Sequence, residues 1–213
     1  MNLRKLSLIP LVALLSAPLL ASADSIVTNG DFEYNDPTGA FWSTSDTTGI
    51  APISVYGPCC APFGTYTGGS NAAFFGWGDL TGGSIWQDLA TVAGQNYTVS
   101  FEYGAIAAPT LQTMQVSALS GASFATQLGA TNLKAYGTRN LAAMMSGYSF
   151  SFTADSATTR LQFSDTSFNT SSVDGVIDNV SVVTTPVPEP ETYALMLAGL
   201  GVMTFVARRR KAA

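Results

Sequence analysis

An antiparallel all-β sandwich is the fold class this sequence predicts, and three observations predict it. Between Asp24 and Thr185 the helical period is almost absent. Short β-rich runs there alternate apolar and polar residues. Clusters of Gly, Pro, Asn and Asp separate those runs, which is the punctuation of a sandwich or barrel. Strands that alternate in this way keep one face wet, so antiparallel pairing is expected.

The strands follow in order. GSIWQDLATV (Gly83 to Val92) puts Ile85, Gln87 and Leu89 on one face and Trp86, Asp88 and Ala90 on the other. After an AGQN turn, YTVSFEYGAI sets Tyr97, Val99, Phe101 and Tyr103 opposite Thr98, Ser100 and Glu102. GYSFSFTA repeats the device with Tyr148, Phe150 and Phe152, and TTRLQFSD with Leu161 and Phe163. VIDNVSVV closes the body with Ile177 and Val180 to Val183. One short piece, Asn140 to Met145, reads equally as a helix or as a strand edge between Gly137 and Gly147.

Both ends differ from this body. Arg4 and Lys5 precede an apolar run, Leu6 to Leu20, and then a small-x-small site formed by Ala21 and Ala23. That is the pattern of a secretory signal peptide over residues 1–23, cut to leave Asp24 first. At the other end, residues 186–192 are a Pro-rich linker. Tyr193 to Ala207 is apolar, and Arg208, Arg209, Arg210 and Lys211 follow as a basic stop. Residues 193–207 are expected to form one short transmembrane helix with 208–213 as its cytoplasmic tail, by the positive-inside rule. Those positions reach only ~22 Å as a helix, against a hydrocarbon core of roughly 30 Å.

With the ends removed, residues 24–185 form a single domain. Its basic residues are Lys134, Arg139 and Arg160, set against twelve carboxylates. Such a surface repels nucleic acid and anionic headgroups and tolerates neutral ligands or divalent cations. The chain has no histidine. That removes Ser-His-Asp triads, histidine-ligated zinc and histidine general bases. Glycosidase chemistry needs a matched carboxylate pair, and none stands out by motif.

IVTNGDFEYND with Trp42, SIWQDL, GQNYTVSFEYG, YSFSFTA with TRLQFSD, and finally GVIDNVSVV occur in that order. The series resembles the galactose-binding-like jelly-roll domains, a superfamily that includes many carbohydrate-binding modules. The resemblance implies a jelly roll from Ser25 to Val183. It also implies a structural Ca2+ held through Glu33 and Asp178, with both as solvated strand-end carboxylates the alternative. A neutral sugar is held by aromatic faces and a few polar groups. Trp77, Tyr56, Tyr66 and Asn71, in a loop-rich stretch, are the candidate ligand residues. Trp42 and Trp86 read as core or rim. Cys59 and Cys60, adjacent in GPCCAPFG, read as a strained vicinal disulfide, or as two thiols or bonds to another chain.

The tail carries a second resemblance. Val187-Pro188-Glu189-Pro190, an apolar helix and a terminal basic cluster resemble the PEP-CTERM sorting signal of Gram-negative bacteria. The resemblance implies recognition and cleavage by an exosortase. It implies export through the inner membrane, a transient anchor there, then the cell surface or extracellular matrix. The expected function is non-catalytic binding of extracellular polysaccharide in a biofilm matrix. The alternative is a self-associating structural protein, and a glycan-active enzyme ranks below both.

Overall fold

The structure is a computed structural model and describes residues 24–34, 41–45, 54–55, 71–76, 80–137, 145–185 and 190–211. Ten strands and one helix fall in these residues. They are β1 (Ser43–Thr44), β2 (Ser54–Val55), β3 (Ala73–Phe75), β4 (Ser84–Ala90), β5 (Asn96–Ala107), β6 (Leu111–Ser120), β7 (Thr126–Tyr136), β8 (Ser146–Thr153), β9 (Thr158–Asp165), β10 (Val173–Thr184) and α1 (Pro190–Lys211).

Two antiparallel sheets form from them, in the orders β1-β4-β9-β6-β7 and β2-β3-β10-β5-β8. Their alternating inner faces meet in one core, the jelly-roll arrangement the sequence predicts. Tyr97, Val99, Phe101 and Tyr103 of β5 all point inward and are buried, as do Leu161 and Phe163 of β9. Aromatic rings fill this core: Phe101 of one sheet meets Phe163 of the other edge-on at 5.4 Å, Trp42 meets Phe163 at 5.9 Å, and Tyr97 stacks on its cross-strand partner Phe152 at 5.4 Å. Each such ring contributes about 1.5–3 kcal/mol of burial. A smaller apolar cluster of Ala72, Phe74, Ile106 and Val176 lies on the other side of the second sheet, with Met145 against it.

Strands β6 and β7 were not delimited from sequence. They extend the first sheet through a register running from Leu111↔Tyr136 to Ser120↔Thr126, with a bulge between Ala118 and Leu119. Residues 140–144 of the ambiguous helix-or-strand piece lie outside the described residues, and Met145 precedes β8.

The helix expected over 193–207 lies within α1, which begins earlier, at Pro190, and runs to Lys211. Proline suits a first helical position, where its missing N–H leaves no intrahelical bond unmade. Among the described residues no helix is long and apolar enough to cross a membrane.

Candidate functional site

Two regions concentrate polar chemistry. The first is the corner where the N-terminal segment meets the end of the last strand. Asn29 and Phe32 take left-handed conformations, with φ 52° and 54°. Asn29 clamps its own loop, because its Oδ1 accepts the Tyr34 N–H and its Nδ2 donates to the Tyr34 carbonyl, each at 3.0 Å. Phe32 is thereby turned into the core, stacked on Trp42 at 5.4 Å. The Trp42 indole N–H returns a hydrogen bond to the Asn29 carbonyl at 3.0 Å. Glu33 is left at the rim. Its Oε1 accepts the Asn71 N–H at 2.8 Å, and Asn71 Nδ2 donates to the Glu33 carbonyl at 3.3 Å.

Asp178 lies opposite, fully buried, at a bulge in β10 that falls between Asp178 and Ser181. Asn179 provides the bulge with a φ of 52°. Its N–H donates to Asp178 Oδ1 at 2.7 Å, and its side-chain amide donates to Glu102 Oε2 at 2.9 Å. Glu102 is also the cross-strand partner of Asp178. Asp178 Oδ2 and Asn71 Oδ1 are buried with no hydrogen-bond partner. Burial, above all, pushes the Asp178 carboxyl up to about 7; the Asn179 N–H opposes this, and the charges of Glu102, Glu33 and Asp31 add to it. Among the described residues no group of three or more His, Cys, Asp or Glu side chains is placed to hold a metal ion. A cation here would have to draw on amide and carbonyl oxygens as well. The two unpartnered buried oxygens fit that need.

The second region is the outward face of the first sheet. Trp86 and Asp88 leave β4 on the side opposite Ile85 and Leu89, which are buried. Arg160 of β9 grips Asp88 with two bonds, Nε to Oδ1 at 2.7 Å and Nη2 to Oδ2 at 2.9 Å. Its guanidinium lies 4.9 Å from the Trp86 ring centroid and 3.9 Å from that of Phe124. Phe124 comes from the β6–β7 turn, in a left-handed conformation with φ 53°. A planar cation between two rings, fixed by a bidentate carboxylate, is a stiff arrangement. Beside this wall runs a polar row. Ser84, Ser164, Gln115 and Asn132 are successive register partners across β4, β9, β6 and β7. Three strand spacings make the row ~14 Å wide. Gln162 adds an amide next to it, donating to Ser164 Oγ at 2.9 Å.

Of the residues expected from sequence, Glu33, Asn71 and Asp178 stand at the N-terminal corner, Glu33 exposed at its rim and the other two buried. Asn71, 8 % exposed, bonds Glu33 through its backbone N–H and its side-chain amide. Trp77, Tyr56, Tyr66, Cys59, Cys60, Ala21, Ala23, Val187, Pro188 and Glu189 lie outside the described residues. Pro190 opens α1, and Arg208 and Arg209 are exposed near its end. The outward face was not singled out from sequence. Its signal was there: alternation already set Trp86 with Asp88, opposite the apolar residues. What a single sequence lacks is the strand order that brings Gln115, Asn132 and Arg160 alongside.

Residues 67–183 match the family described as Protein of unknown function (DUF642). Residues 186–211 match the PEP-CTERM protein-sorting motif. No curated protein matches the chain. Among solved structures, the chain is similar to TmCBM61 in complex with β-1,4-galactotriose, with a TM-score of 0.53 and 14% identity over 76% of this chain and 99% of that one. It is similar to the CBM22-1 xylan-binding domain of Paenibacillus barcinonensis Xyn10C, with a TM-score of 0.51 and 10% identity over 79% and 99%. It is also similar to the Stig cyclase Fisc of Fischerella sp. TAU, with a TM-score of 0.54 and 16% identity over 79% and 100%. At these identities the likeness is one of fold: the body is an antiparallel jelly-roll β-sandwich like that of these domains. The motif at the end implies exosortase-dependent sorting.

Proposed function

The chain belongs to the DUF642 family, and on that premise we propose that its exported body binds neutral polysaccharide on the outward face of the first sheet, without catalysis. The observation that carries this reading is the polar row Ser84–Ser164–Gln115–Asn132 beside the Trp86–Arg160–Phe124 wall. Amides and hydroxyls there answer sugar hydroxyls, and a half-buried indole answers a C–H face. Two of the similar folds are a xylan-binding domain and a module seen with a β-1,4-galactotriose. Both support a sugar as the ligand class.

Charge favours a neutral glycan. Arg160, the cation nearest the wall, is already committed to Asp88. The body is otherwise acidic, so a uronate would be repelled. Burial argues against catalysis: Asp178 has the raised pKa of a general acid but is 0% exposed, out of reach of a glycosidic oxygen.

Glu33 and Asp178 would hold a structural Ca2+ at the N-terminal corner, joined by the unpartnered oxygen of Asn71. When bound, the ion neutralises the carboxylates and fixes the N-terminal segment. The N-terminal leader carries the body through the inner membrane of a Gram-negative cell, and the sorting tail tethers it there for processing. An exosortase cuts near the motif, and the released body acts in the exopolysaccharide or biofilm matrix.

Affinity electrophoresis of the purified chain tests the ligand. Gels containing xylan, β-1,4-galactan or the producing cell's own exopolysaccharide should retard the wild type, and Trp86→Ala or Gln115→Ala should abolish the retardation. Equal mobility of the wild type in every gel, with concentration-dependent self-association in the ultracentrifuge, would instead identify a structural matrix protein.

A further inference from the structure

At the far end of the same sheet, two aromatic side chains stand in solvent. Phe168 is 101% exposed relative to a free side chain and Tyr136 is 63% exposed. Tyr136 ends β7 on its outward side, in step with Asn132 and Lys134 and opposite the inward Leu133. Phe168 sits in the loop that leaves β9 after Asp165 and returns as β10.

That loop is firmly held. Asp165 Oδ1 accepts the Ser167 N–H at 2.8 Å, and the Thr113 carbonyl accepts the Thr166 N–H at 3.0 Å. The Thr113 N–H donates to Ser167 Oγ at 3.0 Å. Gln112, itself buried, donates its amide to the Asn169 carbonyl at 2.8 Å. Ser167 and Thr170, on either side of Phe168, are buried. A loop pinned so closely on both flanks has little freedom to fold its ring away. It holds Phe168 outward in advance of any contact, which lowers the ordering cost of a contact when one is made. Large rings exposed together at the rim of a polar surface mark an interaction site.

We infer that Phe168 and Tyr136 form a second aromatic subsite for the polysaccharide, so that the ligand is an internal stretch of several linked sugars and not a chain end or a disaccharide. This rests on the glycan-binding reading above. Continuity of the face names the occupant: Arg160, Gln162, Ser164 and Thr166 are alternate outward residues of one strand and its exit. From Arg160 to Thr166 they span six residues, ~20 Å of extended chain, and Phe168 follows two residues later. Thr113 and Gln115 of β6 floor the same path. A disaccharide cannot touch both ends of such a surface.

Isothermal titration of the purified full chain tests the inference, with disaccharides and hexasaccharides of the β-1,4-xylan and β-1,4-galactan series as probes. The hexasaccharide of the bound series should bind more tightly than the disaccharide. Phe168→Ala and Tyr136→Ala should each weaken hexasaccharide binding by about tenfold, the size expected for one lost stacking contact. Disaccharide binding and the melting temperature should stay unchanged, because neither ring is packed. Unaltered hexasaccharide affinity in both variants would overturn the second subsite and leave glycan binding intact. A wild type that binds neither oligosaccharides nor polysaccharides would overturn both.

Discussion

Gly30 and Val180 are pressed backbone to backbone: a Cβ on Gly30 would collide with the Val180 carbonyl oxygen, while the Gly30 carbonyl accepts the Val180 N–H at 2.8 Å. This contact seats the loop carrying Glu33 against the bulge carrying Asp178. The Ile26 N–H bond to the Val182 carbonyl, at 2.9 Å, continues the docking along β10.

Gly30→Ala should therefore destabilise the body by roughly 3 kcal/mol or more, since the neighbour is backbone and cannot swing aside. Urea denaturation reads this as a lowered midpoint. An unchanged midpoint would show that the N-terminal segment contributes nothing to the fold.

Asp178 makes stability depend on pH. Its carboxyl rises from an ordinary 3.8 to about 7 on folding, so the folded protein holds a proton that the unfolded chain has lost between those values. Its contribution is full below about pH 4 and disappears as pH rises towards 7, on the order of 4 kcal/mol across the window. Glu102, Glu33 and Asp31 face it and add to the effect. In chelator the melting temperature should fall from pH 4 to pH 7, and Asp178→Asn should flatten that fall. Calcium should raise the melting temperature at pH 7.5 and have little effect at pH 4. No response to calcium at either pH would remove the metal from the account.

Arg160 and Asp88 set the charge preference of the face. Their pair is partly exposed, at 22% and 41%, so Asp88→Ala should cost only about 1 kcal/mol. It leaves a guanidinium stacked between Trp86 and Phe124 with no carboxylate. That variant should acquire retention by polygalacturonate, where the wild type is expected to show none. Lys134 supplies no such site by itself; it stands on the open edge strand β7, where a lysine discourages edge-to-edge pairing. Failure of Asp88→Ala to gain uronate binding would show that Arg160 does not gate charge selection.

Tyr103 provides a stability test within the core. Its hydroxyl is buried with no hydrogen-bond partner, and burial raises its pKa. Removing an unsatisfied hydroxyl relieves desolvation, so Tyr103→Phe should keep or raise stability, by up to about 1 kcal/mol. A clear loss would reveal a partner, such as an enclosed water.

Much of the fold could be read from sequence because alternation there is clean. TTRLQFSD is β9 residue for residue. Strand β7 escaped notice, and Gly129 shows why. The glycine that weakens its strand pattern is required where the sheets close on each other: a Cβ there would meet the Ser151 carbonyl oxygen at 3.1 Å and the Phe152 Cβ at 3.2 Å. Glu33 and Asp178 were paired through family resemblance, but the left-handed turns at Phe32 and Asn179 that aim them were not legible. Those turns are fixed by tertiary contacts, which no local propensity records. Phe168 was missed for a similar reason. A phenylalanine in a Ser/Thr-rich loop looks like a core residue until the anchors around it are known.

Hydroxyl-radical footprinting of the full chain, with and without the neutral polysaccharide that retards it, tests the central claim most directly. Protection is expected at Trp86, Tyr136 and Phe168, all on one face, with Tyr34, at the opposite corner, unaffected. Protection confined to the other sheet, or none on these three aromatics despite binding, would contradict the account.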